Sequence, residues 1–394
     1  MGIIMNLGLI YFFALTVYGV ASPYLSVLVR NLGYGPAVVG LLLGLFEIAG
    51  IAGPFFIGRF SDSLGRYRPG LFLSFLIIPF ALIPLLLWRN IVVSSLSLIF
   101  LAFGVRSIIP LLDAAATLLL KHKEDYGKIR SIGSLSFVLT ALFLQFTPIL
   151  KPQSSSAIGF WLSITAFLSM LTLPLLHETG VKSKRQKQKD VPPITAHIGL
   201  GAASSIWSPI FVIGLVIIGL GRLSMAPIAS FFSLYVSEEL HWNAVGLMWA
   251  LSALSEIPLM FVSGKLINKY GSAPLLALSM VAVIVRLSLY ALFPTIAGAI
   301  LGQLLHSLCY GLFHPAAVAF VSTHIPPQHR AVGLTMYISL GVGLPTFIGS
   351  ALGGYIVEAF GYRFLFGSYT VFSILGLIIY AIFAKSLSET RESN

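Results

Sequence analysis

Apolar runs long enough to cross a hydrocarbon core recur along the whole of this 394-residue sequence. A helix rises about 1.5 Å per residue, so about 20 apolar residues span the roughly 30 Å of a bilayer interior. The residues are 57% hydrophobic and 9% charged, whereas soluble domains carry about 25% charge. A soluble globular protein is therefore excluded, and an all-α, polytopic membrane protein is expected. The net charge of +11 does not indicate a nucleic-acid partner, because the basic residues lie between apolar segments, as topology signals do. The one cysteine, Cys309, sits inside an apolar segment, which excludes disulfides and cysteine-based metal sites. No cofactor is expected. The chain starts directly in its first span without a basic leader, so no cleavable signal peptide is expected.

Hydropathy predicts twelve spans. The first half holds 4–29, 38–58, 70–88, 92–118, 130–149 and 157–176. The second holds 208–236, 243–264, 272–291, 295–321, 331–352 and 363–385. Residues 1–176 and 208–394 are then two six-helix bundles, joined by a polar linker over 177–207 that includes KSKRQKQKD at 182–190. Loops after the even-numbered spans and the C-terminal tail carry most of the Lys and Arg, against Arg30, Arg89, Lys151 and Arg363 on the other side. By the positive-inside rule both termini are cytoplasmic, in a plasma (inner) membrane. The halves also repeat. Gly40, Gly58 and Gly65 match Gly246, Gly264 and Gly271, each pair 206 residues apart, and Arg130-x-x-Gly133 is echoed by Arg330-x-x-Gly333. Two similar bundles around a central site is an architecture of secondary transporters, in which one half rocks against the other.

Six charges fall inside the spans: Glu47, Arg106, Asp113, Arg222, Glu256 and Arg286. Each costs about 3 kcal/mol to insert, so they are expected in interhelical pairs or around a cavity. Arg106 and Asp113 are seven residues apart, almost two helical turns, and share a face. His306 lies mid-span, where a near-neutral reference pKa suits proton relay. His314, before Pro315, reads as packing or gating. No G-x-x-x-x-G-K-[ST] occurs, so ATP is not the energy source. Nothing resembles a nucleophile–base pair with an orienting third group, so no enzyme is expected.

Gly58-Arg-Phe-Ser-Asp62-Ser-Leu-Gly65-Arg66-Tyr-Arg68 resembles the G-x-x-x-D-x-x-G-R-[KR] loop of the major facilitator superfamily, with one residue inserted before the last cation. The second copy, Gly264 to Gly271, keeps the glycines but has Asn268 in place of the acid. The resemblance makes Gly58, Asp62, Gly65 and Arg66 a conformational latch, with the Asp near a helix N-terminus. Within the superfamily the chain is most similar to the lactose permease and phenylpropionate permease group. Pro110-Leu-Leu-Asp113 resembles the fourth helix of that group, whose acid binds sugar, and Tyr126-Gly-Lys-Ile-Arg130 resembles the start of the fifth, whose arginine completes the pair. Hydropathy alone leaves Arg130 at the cytoplasmic edge; the resemblance puts it one turn inside. Phe137 stands where the group has a sugar-stacking tryptophan, and Glu256 matches an eighth-helix glutamate that contacts substrate. Arg286 and His306 match two members of a proton relay whose carboxylate position holds Cys309 here, a thiol unsuited to carrying the proton, so that role falls to Glu47, Glu256 or a histidine.

The resemblance implies substrate binding by Asp113, Arg130, Phe137, Glu256 and Arg106, and proton coupling by Glu256, Arg286, His306 and Glu47. The expected function is proton-coupled symport of a small polar organic solute by a monomer. Sugar is favoured by the acid–arginine pair; an aromatic carboxylate is the rival, because of the extra arginines. Export driven by proton antiport uses the same fold.

Overall fold

The computed structural model describes residues 2–120, 122, 124–147, 149–178, 207–326 and 329–388. Among these residues there is no strand. Six helices make up the first part: α1 (Gly2–Asn31), α2 (Pro36–Leu64), α3 (Arg68–Leu87), α4 (Ile91–Leu119), α5 (Glu124–Phe146) and α6 (Ser155–Thr172). The second part holds α7 (Pro209–Leu234), α8 (Val245–Tyr270), α9 (Ser272–Leu292), α10 (Ile296–Leu304), α11 (Phe313–His324), α12 (Arg330–Met336) and α13 (Leu344–Ser388). Wider π-helical turns cover Tyr235–Glu239, Ser307–Gly311 and Tyr337–Gly343, so that α10 continues into α11 and α12 into α13. Among the described residues, ten helical stretches are long and apolar enough to cross a membrane; α8, bent past Pro258, makes an eleventh.

Several helix starts follow from capping side chains. Asn90 accepts the N–H of Val92 at 2.9 Å, Ser154 that of Ala157 at 3.2 Å, Ser208 that of Phe211 at 3.2 Å, and Thr295 that of Gly298 at 3.1 Å. Each supplies an acceptor to a donor that the first helical turn leaves free. Two glycines at positive φ set the breaks. Gly65 (φ 65) closes α2, and Gly361 (φ 81) interrupts α13, a left-handed geometry that any Cβ would strain.

The described residues fall into two compact units. The first takes Met1–Gly35, the part of Leu45–Thr195 that is described, and Val245–Ala250. Its α1 lies against α5, where a Cβ on Gly19 would collide with Thr140. Ser136 and Ser169 donate to the carbonyls of Phe12 and Phe13 on α1, the latter at 2.8 Å. The side-chain oxygen of Gln145 accepts the N–H of Gly246 at 3.0 Å, which satisfies the start of α8. The second unit takes Pro36–Gly44, the described part of Ala196–Ala244, and Leu251–Asn394 as far as it is described. There Ser224, on α7, donates to the Tyr369 carbonyl at 3.0 Å, and Ser230 bonds Ser350 at 2.6 Å. Glu358 accepts the N–H of Ala37, at the start of α2, at 2.9 Å. Small residues and hydroxyls between helices are the usual adhesive where lipid removes the hydrophobic drive for association.

Two expectations change. Residues 58–64, expected as part of a loop, continue α2 for nearly two more turns, because nothing before Gly65 breaks the helix. The fifth span starts at Glu124 rather than at residue 130, so Arg130 lies well inside its helix with a half-buried side chain. The basic run 182–190 lies outside the described residues.

Candidate functional site

In the first unit the polar side chains converge on α4. Asp113 accepts a hydrogen bond from the Tyr11 hydroxyl at 2.7 Å. Tyr126 reaches the same carboxylate, and Arg130 stands close enough to act electrostatically on both Tyr11 and Tyr126. Asp113 and Arg130 are thus brought into one cluster through two tyrosines; a direct ion pair between them is not among the described contacts. Tyr18, seven residues after Tyr11 and on the same face of α1, donates to the Val105 carbonyl at 2.7 Å. It lies within electrostatic reach of Arg106, Arg130, Asp113 and Glu47, and so joins the two charged pairs. Phe137, half-buried, follows Arg130 by seven residues along α5.

Arg106 is ion-paired with Glu47 and lies over the Phe46 ring at 5.2 Å. Its side chain crosses Gly50, where a Cβ would meet the Arg106 Cγ at 2.6 Å, so that glycine makes room for the arginine. The side chains of Arg106 and Glu47 are 35% and 22% exposed. Glu47→Gln alone strands a cation and is expected to lower stability by about 1–3 kcal/mol. The double variant Glu47→Gln/Arg106→Gln should recover most of that loss. A double-mutant cycle followed by thermal unfolding should give a coupling of about 0.5–3 kcal/mol; additive effects would show that the pair contributes nothing.

In the second unit the centre is Arg286 on α9, which is 1% exposed. It donates to the Tyr290 hydroxyl at 2.9 Å, to His306 Nδ1 at 2.8 Å and to the side-chain oxygen of Gln303. A guanidinium has only donors, so Nδ1 of His306 must accept. The ring proton then sits on Nε2, which donates to Glu256 Oε1 at 2.8 Å. His306 is therefore neutral in this arrangement; a second ring proton would break the Arg286 bond and bring two cations together. Cys309, fully buried, lies against the same guanidinium. The acceptors that Arg286 holds are all uncharged, and Gln303 and Tyr290 supply what the missing carboxylate at position 309 does not.

The rings of His306, Tyr310 and His314 lie nearly parallel, 5.6 and 6.0 Å apart with interplanar angles of 4° and 6°. His314 Nδ1 bonds the Tyr337 hydroxyl at 2.8 Å. Arg222, on α7, sets its guanidinium over the Tyr310 ring at 5.5 Å. Its Nε is buried and has no hydrogen-bond partner among the described residues.

The latch residues are spread over the end of α2. Asp62 is exposed in its last turn, and its carbonyl accepts the Gly65 N–H at 3.1 Å. The start of α3 is held by another acid: Glu178 accepts the N–H groups of Tyr67 and Arg68 at 2.5 and 3.0 Å. Sequence reasoning gave no role to Glu178, Gln303 or the tyrosines at 11, 18, 126, 290, 310 and 337. The seven-residue spacing of Tyr11 and Tyr18, matching that of Arg106 and Asp113, was the usable signal for the two tyrosines of α1.

The MFS_1 like family matches residues 4–368. The chain is 26% identical over 317 residues to the "Probable 3-phenylpropionic acid transporter" of Escherichia coli, covering 79% of each chain. It is 25% identical over 394 residues to the maltose permease of Geobacillus stearothermophilus, covering 96% of this chain and 93% of that one. Among solved structures, the nucleoside transporter NupG superposes with a TM-score of 0.82 at 18% identity, over 98% of this chain and 100% of that one. That likeness concerns the fold.

Proposed function

Because the chain belongs to the MFS_1 like family of the major facilitator superfamily, we propose that this membrane transporter carries a small polar organic solute by proton-coupled symport. We count α13 as two spans divided at Gly361, which gives twelve helices in two pseudo-symmetric six-helix bundles. Both termini are cytoplasmic, the membrane is the plasma (inner) membrane, and a monomer works by alternating access.

The observation that carries this reading is the hydrogen-bonded chain Arg286–His306–Glu256. It joins a permanent cation to a titratable carboxylate through a neutral imidazole. Glu256 is the proton carrier in this scheme. Protonating it removes a charge from a medium where charge is costly, and so eases the loaded protein's conformational change. Arg286 holds the His306 tautomer, which keeps an Nε2 proton directed at Glu256 whichever way the carboxylate is loaded. Asp113, Arg130 and Phe137 bind the solute: an acceptor, a forked donor and a flat ring suit hydroxyl-bearing or carboxylate-bearing organic molecules. Arg106 and Glu47 support that cluster as a pair, with Glu47 as a second titratable site. Gly58, Asp62, Gly65 and Arg66 act as the latch.

The test is transport in proteoliposomes. With an imposed pH gradient, sugars, nucleosides and aromatic acids are offered in turn. One class should accumulate with the proton gradient, and a protonophore should abolish the accumulation. Solute driven against the inward proton flux would instead identify an exporter, and indifference to the gradient would remove the coupling.

A further inference from the structure

The geometry points to a carboxylate-binding site in the second unit, formed by Arg222 with Tyr310 and His314, that takes the anionic group of a small organic acid. This rests on the transporter reading above and names the class of its cargo.

The argument starts from charge. In the first unit the intramembrane charges balance: Glu47 and Asp113 stand against Arg106 and Arg130. In the second unit Arg222 and Arg286 stand against Glu256 alone, because His306 is neutral in its bonded tautomer. Arg286 has its donors met by Tyr290, His306 and Gln303. Arg222 does not: no carboxylate lies within ion-pair distance of it among the described residues, and its buried Nε has no acceptor. A cation in a low-dielectric interior with an unsatisfied donor is the arrangement that an anionic ligand completes.

The neighbours fit an organic body attached to that anion. Tyr310 is 38% exposed, and His314 is also open on part of its surface. With His306 they form a series of nearly parallel rings, and the Arg222 guanidinium lies over the middle one, Tyr310. Tyr337 fixes His314 through its hydroxyl. Such a surface presents flat apolar area beside one fixed cation, which suits an acid with a planar or apolar body. An uncharged sugar would leave the Arg222 charge uncompensated.

The test is binding to the full-length protein in lipid nanodiscs. Benzoate and 3-phenylpropionate are compared with benzyl alcohol, 3-phenylpropanol and maltose by thermal shift and calorimetric titration. At least one acid should stabilise the protein while its alcohol, at equal concentration, should not. Arg222→Gln should weaken that acid about 10- to 100-fold, the range expected for loss of a charge-assisted hydrogen bond. Arg222→Lys, which keeps the charge but not the fork, should fall between the two. The inference is overturned if acid and alcohol bind alike, if neither acid binds, if maltose stabilises as strongly as either acid, or if Arg222→Gln binds the acid normally. The acid–alcohol comparison uses unaltered protein, so it decides the matter even where the glutamine variant does not fold. Arg222-dependent binding without counterflow in proteoliposomes would sink the transporter reading and leave the site. Counterflow of an uncharged solute that Arg222→Gln does not disturb would sink the site and leave the transporter.

Discussion

Glu256→Gln should abolish uphill accumulation while leaving downhill exchange of solute nearly intact. The amide is isosteric and its oxygen can still accept from His306 Nε2, so the 2.8 Å bond that Glu256 makes has a direct substitute and the fold should hold. What is lost is the proton. One pH unit is worth about 1.4 kcal/mol per proton, a tenfold solute ratio for one-to-one coupling. In the variant that ratio should fall to one under the same gradient, whereas counterflow, which needs no net proton movement, should persist within a fewfold. Both are read in the same proteoliposomes. Wild-type accumulation by Glu256→Gln would move the carrier to another group, with Glu47 or Asp113 next in line.

The second large effect is on binding. Arg130→Ala and Asp113→Asn should each reduce solute affinity by about 100-fold, the loss expected for a charged hydrogen-bonding group directed at a polar ligand. The two differ in what else they disturb. Asn at 113 keeps an oxygen for the Tyr11 hydroxyl, now bonded to Asp113 at 2.7 Å, so thermal stability should change little. Arg130→Lys should not rescue, because an ammonium cannot fork two bonds to one group. Normal titrations in both Arg130→Ala and Asp113→Asn would remove this cluster from the binding site.

The helices were largely legible because hydropathy and capping residues agree: spans expected from 92, 157, 208 and 295 have caps at Asn90, Ser154, Ser208 and Thr295. The end of α2 was not, since Arg59 and Asp62 lower the hydropathy while leaving the helix intact to Gly65. At the clusters, charge in an apolar span marked Glu47, Arg106, Asp113, Glu256 and Arg286, but not which side chain each would meet. Arg106 finds Glu47, and Arg286 finds Gln303 and Tyr290, through the rotational phase of packed helices, which a single sequence does not carry. Tyrosine is the clearest loss. In a membrane chain it reads as an interfacial or packing residue, yet Tyr11 and Tyr126 are what place Asp113 and Arg130 in one network.

The wide turn at Ser307–Gly311 has a consequence for how the binding surface of the second unit is built. Eight residues of a regular α-helix advance about 80° beyond two full revolutions, so side chains at 306, 310 and 314 would fan around the axis. The extra residue held in the wide turn takes up that drift, and the three rings stand one above another with only 4° and 6° between successive planes. The recognition surface is thus a property of phase rather than of composition. Were the same residues wound as regular α-helix, the drift of about 80° would return and turn the proton relay at His306 away from the face that Arg222 overlooks.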